Sequence, residues 1–211
     1  MIRIDSGTHF TPLDAFSDLD PKYVVQGPRV VELPTGRYRI DYPARAPFVP
    51  EHIKHLRVKG RPKSDFEIEP RLAAMAQDGF DMQVLIPNNS PFYYDVDAKM
   101  GADVSRSFNR AISRRLKRYP NKFIGIAATP LQNVELAIAE AEYAIKDLGL
   151  HSVIIYQNIN GKDLDGEFLW PFYEAVEKMG VPLSVHGVDS GPLIGVDRFA
   201  HYNLDVCLGF P

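Results

Sequence analysis

Apolar positions along this chain follow two rhythms, separated by a long stretch with neither. Residues 2–6 alternate apolar and polar, which predicts a first strand. From residue 69 onward, runs with apolar residues three and four apart alternate with short continuous apolar runs. Pro70 suits a first helical turn, and Leu72, Met75 and Ala76 share a face, so a helix is predicted up to Gly79. Met82–Ile86 then reads as a strand. A long helix is predicted over 98–118, where Val104, Phe108, Ile112 and Leu116 form a stripe, and Pro120 stops it. Residues 123–128 read as the third strand. Asn133 caps a helix with Leu136, Ile138, Ala141, Ile145 and Leu148 inward, and residues 152–156 form the fourth strand. Asp165 opens a further helix carrying Phe168, Phe172, Val176 and Met179, and residues 182–186 form the fifth strand.

Three of these helices end in the same way: Asp78-Gly79-Phe80, Leu148-Gly149-Leu150 and Met179-Gly180-Val181. Glycine supplies a left-handed helix end, and the apolar residue after it packs back on the helix. Alternating helix and strand at this spacing predicts parallel βα units with right-handed crossovers. A doubly wound sheet and an eight-stranded barrel share that pattern. No glycine-rich phosphate loop follows the first strand, so an α/β fold of the TIM-type (β/α)8 barrel class is expected. Only about five βα units precede Pro211, so the remaining strands are expected from a longer polypeptide or from another chain. A single domain over 1–211 is expected. Its first strand is followed by an insertion at about 11–68 that is dense in proline and poor in helical periodicity. Long insertions of this kind are often lids or binding loops. Tyr38–Tyr42 is expected to join a small hairpin.

Composition narrows the function rather than the fold. The 211 residues are 45% hydrophobic and 24% charged, with a formal charge of −3. That balance gives no reason to expect nucleic acid or an anionic membrane as partner. Arg114, Arg115, Lys117 and Arg118 cluster at a predicted helix end, where cations are favoured, and they are expected to be solvated. Cys207 is the only cysteine, which removes any internal disulfide framework and fits a reducing compartment. With no signal-type apolar segment at the start, a cytoplasmic location is expected.

Candidate chemistry sits at strand ends. Pro182-Leu183-Ser184-Val185-His186 ends in a histidine where a parallel strand opens onto a loop. His9 closes the first strand at the other end of the chain, which raises the question of a shared metal ion. Asn88 and Asn89, Tyr156 and Gln157, and Asp189 follow strand ends and are candidate substrate contacts, or alternatively loop caps. Phe92, Tyr93 and Tyr94 either wall a pocket or pack the core. Arg37, Arg39, Arg57 and Arg61 in the insertion are candidate carboxylate clamps. His52 and His55 are expected on a solvated helix face, His151 at the non-functional end of its strand, and His201 is ambiguous.

Several ordered stretches carry a resemblance. They are Asp5-Ser6-Gly7-Thr8-His9-Phe10, Met75–Leu85, and Asn109 followed by Tyr119–Gly125. Further on come Thr129-Pro130-Leu131-Gln132, Phe168–Tyr173 and Val181–His186. Together they resemble the amidohydrolase-related (amidohydrolase 2) family, the group of aminocarboxymuconate-semialdehyde and γ-resorcylate decarboxylases. The resemblance implies a barrel enzyme with one divalent ion at its C-terminal mouth, zinc first and manganese or iron as alternatives. It implies His9 and His186 as metal ligands. It also implies a metal-dependent decarboxylase or hydrolase acting on a small carboxylated, cyclic or unsaturated substrate. Two features depart from the pattern. The first ligand position of strand one is Gly7, and a strand-six histidine and a strand-eight aspartate have no counterpart. Residues 5, 7 and 9 of a regular strand share a face, and Asp5 is expected as a hydrogen-bond partner of the site. The alternative is a metal-poor, non-catalytic subunit partnering a catalytic homologue. A homo- or hetero-oligomer is expected in either case.

Overall fold

A computed structural model describes residues 1–44, 59–88, 92–157 and 159–186. Seven strands are described: β1 (Ile4–His9), β2 (Arg29–Glu32), β3 (Tyr38–Asp41), β4 (Met82–Ile86), β5 (Phe123–Ala128), β6 (Ser152–Tyr156) and β7 (Leu183–His186). The helices are α1 (Ile68–Asp78), α2 (Ala98–Arg118), α3 (Val134–Lys146) and α4 (Trp170–Met179). The main sheet runs β1-β4-β5-β6-β7, and all its pairings are parallel. Strands follow one another in chain order with no reversal, as in a barrel and unlike a doubly wound sheet.

The curl of the sheet shows in one distance. β1 and β7 lie four strand spacings apart, about 19 Å if the sheet were flat. Yet the rings of His9 on β1 and His186 on β7 have centroids 5.1 Å apart. Only a sheet bent toward its own axis brings them together. The fold is a curled half-barrel of parallel strands with helices packed outside it.

Local sequence explains the elements. Gly79, Gly149 and Gly180 have φ of 74°, 75° and 67°, the left-handed conformation their shared motif requires. Asp97 caps α2 by accepting from the amides of Lys99 and Met100, and Asn133 caps α3 by accepting from Leu136. Val104, Phe108 and Ile112 of the α2 stripe are fully buried. The hairpin expected around Tyr38–Tyr42 is present as antiparallel β2 and β3.

Three local expectations are corrected and one is refined. β1 covers Ile4–His9 rather than 2–6, because it pairs with β4 as far as Ile86. α4 begins at Trp170, after a 3-10 turn over Glu167–Leu169. On α3 the fully buried residues are Ala137, Glu140, Ala141 and Ala144, while the predicted Ile138, Ile145 and Leu148 pack against the core only partly buried. The helix lies between α2 and α4, and small side chains allow that close approach. Finally, Arg114 and Arg115 are not simply solvated. Arg114 pairs with Asp14 and Asp18, and Arg115 with Asp14, so the basic end of α2 holds the start of the insertion. Ser107 reinforces the clamp, donating to Ala15 O at 2.9 Å and accepting from Asp18 N at 3.2 Å.

Candidate active site at the strand ends

The C-terminal ends of the parallel strands bring together His9, Asn88 after β4, Thr129 after β5, Tyr156 at the end of β6, and His186. Of the sequence candidates, Asn89 and Asp189 lie outside the described residues, as do His52, His55, Arg57 and His201. His151 accepts from the Gly125 amide at 3.4 Å at the opposite end of the strands, away from the mouth.

His9 is half-buried. Its Nδ1 lies 3.3 Å from Pro87 O. A carbonyl only accepts, so Nδ1 carries the proton and Nε2 keeps its lone pair. Burial holds the His9 pKa below 6.5, and His186 lowers it further, as does the more distant Arg61; the Pro87 contact opposes them. His9 Nε2 therefore offers a nitrogen donor at the mouth, beside the His186 ring. A backbone-fixed tautomer is what a metal-binding histidine requires. Among the described residues no group of three or more His, Cys, Asp or Glu side chains that could hold a metal ion is present.

β1 does not run regularly into this site. Its register matches Asp5 with Gln83 but Thr8 with Leu85 and His9 with Ile86. Ser6 and Gly7 together oppose Val84, so the strand carries a β-bulge. Gln83 and Ile86 are three apart and face opposite sides of β4. The expectation that Asp5 and His9 share a face is therefore overturned: the bulge turns Asp5 toward the helix layer and leaves His9 at the mouth. Asp5 accepts from Gln83 Nε2 at 3.3 Å and from the Gly7 amide at 3.2 Å, so it is a hydrogen-bond partner, though not on the histidine face.

Aromatic rings close one side. Phe92 and Tyr156 stack with centroids 4.0 Å apart at 31°, Tyr94 meets Tyr156 edge-on at 6.0 Å, and Tyr156 lies 6.1 Å from His186. Asn88 donates to Thr11 Oγ1 at 3.1 Å, which ties the first residue pair of the insertion to the mouth. The Thr129 Oγ1 and the Tyr94 hydroxyl are buried and interact with each other behind the mouth. The insertion arginines serve local pairs. Arg39 meets Asp41 at 2.7 Å, Arg61 meets Asp65 at 3.5 Å, and Arg37 donates to Gly60 O.

Sequence reasoning missed Arg71. Its guanidinium is 5% exposed and donates to His9 O, to Gln83 Oε1 at 2.9 Å and to Ser64 O at 2.7 Å. The available signal was a charged residue on the buried face of a helix whose apolar stripe is short.

The chain is thus a half-barrel of parallel βα units with two histidine rings close together at its mouth. The amidohydrolase family profile matches residues 4–209, and the chain belongs to that family. A 2-amino-3-carboxymuconate-6-semialdehyde decarboxylase from Dictyostelium discoideum is 32% identical over 141 residues, 67% of this chain and 38% of that protein. A γ-resorcylate decarboxylase from Polaromonas is 27% identical over 55% of this chain and 37% of its own length. Among solved structures, apo IDCase from Metarhizium anisopliae superposes with a TM-score of 0.69 at 21% identity, covering 100% of this chain and 57% of that one. A 5-carboxyvanillate decarboxylase from Novosphingobium aromaticivorans, complexed with manganese and a nitrobenzoic acid, gives 0.68 at 19% identity, covering 97% and 55%. This chain thus spans well under two thirds of the length of these relatives.

Proposed function

We propose that this chain carries the His9–His186 half of the active site of a metal-dependent decarboxylase for small aromatic or unsaturated carboxylates. The observation that carries the reading is the convergence of these histidines to 5.1 Å from opposite edges of the described sheet. The named relatives, all decarboxylases, support the reaction class, and a structural neighbour with bound manganese supports a divalent ion. His9 Nε2 and His186 would hold that ion, with manganese and zinc both candidates. When bound, the ion supplies positive charge that orients the substrate and stabilises developing negative charge.

The protein's own groups do the rest. The Phe92–Tyr156 pair is buried and backs the mouth from the core side next to His186, giving the site an apolar floor. Arg61 places positive charge close enough to act on His9, which suits a substrate carboxylate. Asn88 and Tyr156 stand at strand ends as candidate substrate contacts; Asn89 and Asp189 are candidates by sequence. Loss of CO2 leaves an electron pair on carbon, and its reprotonation needs a donor at the mouth; His9 is committed to Pro87 O and the ion, so the Tyr156 hydroxyl is the candidate donor.

The test has two readouts. Metal content after dialysis, and Mn2+ and Zn2+ affinity by titration calorimetry, should show one site that weakens at least tenfold in His9→Ala and in His186→Ala. CO2 release from 2,6-dihydroxybenzoate should depend on the metal and disappear in both variants. A folded chain that binds neither ion and is inert with or without them would defeat the reading and favour a non-catalytic partner subunit.

A further inference from the structure

We propose that Arg71 is a positioning residue for His9, locking the bulged end of β1 so that the imidazole keeps one orientation and one tautomer. The inference rests on the reading of His9 as a working donor. It is carried by a buried guanidinium that no other part of that reading uses.

Burying a charge is costly unless it is paired and hydrogen-bonded. Arg71 stands 5% exposed on α1, its nearest acidic contact being Asp65 at 3.9 Å. Its pKa is pulled down to about 10 by burial, against the opposing fields of Asp65 and Asp5. It stacks on Phe10, 4.8 Å from the ring centroid. Three donors reach three separate segments: Ser64 O in the insertion, Gln83 Oε1 on β4, and the backbone carbonyl of His9 itself. Gln83 passes the chain on to Asp5. One guanidinium thus ties together both ends of the bulge, Asp5 before it and His9 after it.

The bulge explains why such a tie is useful. Two residues opposite one leave ladder bonds unmade and free the strand to bend. His9 lies two residues past that break. Its ring is held on one side by Pro87 O, and its carbonyl on the other by Arg71. Ser64 also belongs to the turn whose Asp65 carbonyl accepts from Thr11 N at 2.9 Å. The returning end of the insertion is thereby coupled to the His9 backbone through the same side chain. Lysine cannot reproduce this: its three donors sit on one compact nitrogen, whereas arginine presents a rigid planar fork that reaches separated acceptors.

The experiment compares wild type, Arg71→Lys, Gln83→Leu and a stability control, Leu150→Ala, in the full chain labelled with 15N-histidine. Leu150 is buried at the opposite end of the strands. The metal-free imidazole spectrum reports the His9 tautomer, and Mn2+ titration reports the site. Wild type should show His9 protonated at Nδ1. Arg71→Lys should average or shift that signature and weaken Mn2+ binding roughly 10–100-fold, as loss of an outer-shell partner does. Leu150→Ala should lower the melting temperature and leave both unchanged. An Arg71→Lys protein with an unaltered His9 signature and Mn2+ affinity within twofold of wild type overturns the proposal. So does a Leu150→Ala protein that disturbs His9 as much. If Arg71→Lys does not fold, Gln83→Leu decides by the same criteria. If wild type binds no Mn2+, the metal reading fails, and the His9 signature alone decides the role of Arg71.

Discussion

Asn109 offers a direct test of how the mouth is held from the helix side. It is fully buried on α2 and makes three hydrogen bonds of 2.9 Å: it donates to Ala128 O and to Glu140 Oε1, and it accepts from Ala128 N. Ala128 is the last residue of β5 and directly precedes Thr129. Asn109→Ala leaves the N–H and C=O of Ala128 buried without this partner, each worth about 1–3 kcal/mol. It also withdraws a donor from the Glu140 carboxylate, worth about 1.5–3 kcal/mol. These terms share one site and do not add fully, so a loss of about 4 kcal/mol is expected, a large part of the ~5–15 kcal/mol that holds a domain together. Urea denaturation with an unchanged m-value measures it. Asn109→Asp sharpens the test. It keeps the acceptor for Ala128 N but sets a second carboxylate against Glu140, whose pKa burial already raises above 4.5. A folded carboxyl with a raised pKa binds its proton before the unfolded one as pH falls. Stability of this variant should therefore be lowest at neutral pH and recover as pH drops toward 4.5. A loss below about 1 kcal/mol in Asn109→Ala would refute the account of the buried amide as a bridge.

Other expectations follow from single contacts. In Gly125→Ala the new methyl would meet Ile112 Cγ2 at 2.8 Å and Leu116 Cδ1 at 2.9 Å, so thermal melts should show about 1–3 kcal/mol of overpacking loss. The depressed pKa of His9 makes its contribution complete above pH 6.5 and lost as pH falls through its lower folded value. His9→Gln should flatten the stability profile in that acidic window and weaken metal binding throughout. Arg114→Ala removes exposed pairs with Asp14 and Asp18; the cost should stay under about 1 kcal/mol and shrink further in high salt. Gly7→His adds a donor where a Cβ would meet nothing within 4 Å; Mn2+ affinity should rise at least tenfold with little change in melting temperature.

The sequence rhythm was enough for most of the frame. β4, α2, β5 and β6 fall on the residues where periodicity placed them, because each is bounded by a glycine, proline or capping side chain whose conformational demand is local. The mouth histidines were legible as strand ends, but their meeting was expected only from the family resemblance, since periodicity does not say how far the sheet curls. The bulge in β1 was illegible for a related reason. Nothing in Asp5-Ser6-Gly7-Thr8-His9 states which residues pair with β4, and a shift of one residue reverses the face. Arg71 was passed over because hydrophobic patterning scores a charge as outward, whereas here three acceptors from distant segments meet around it. The pairing of Arg114 and Arg115 was missed similarly: the acids that answer them lie about a hundred residues earlier.

The bulge also gives a physical reason for the division of labour within β1. A regular six-residue strand would send Asp5 and His9 to the same side and place a carboxylate beneath the imidazole. With the bulge, the strand faces two layers in turn. Asp5 joins Gln83 and Arg71 under α1, while Ser6, Gly7 and His9 lie on the Val84–Ile86 side of the sheet. The acid then stabilises the buried guanidinium electrostatically instead of raising the pKa of His9, and His9 stays below its ordinary value, neutral and ready to donate a lone pair at neutral pH. The same irregularity that removes ladder bonds from β1 thus keeps the Asp5 carboxylate away from the His9 ring, and Arg71 supplies from the helix layer the fixation that the broken ladder no longer gives.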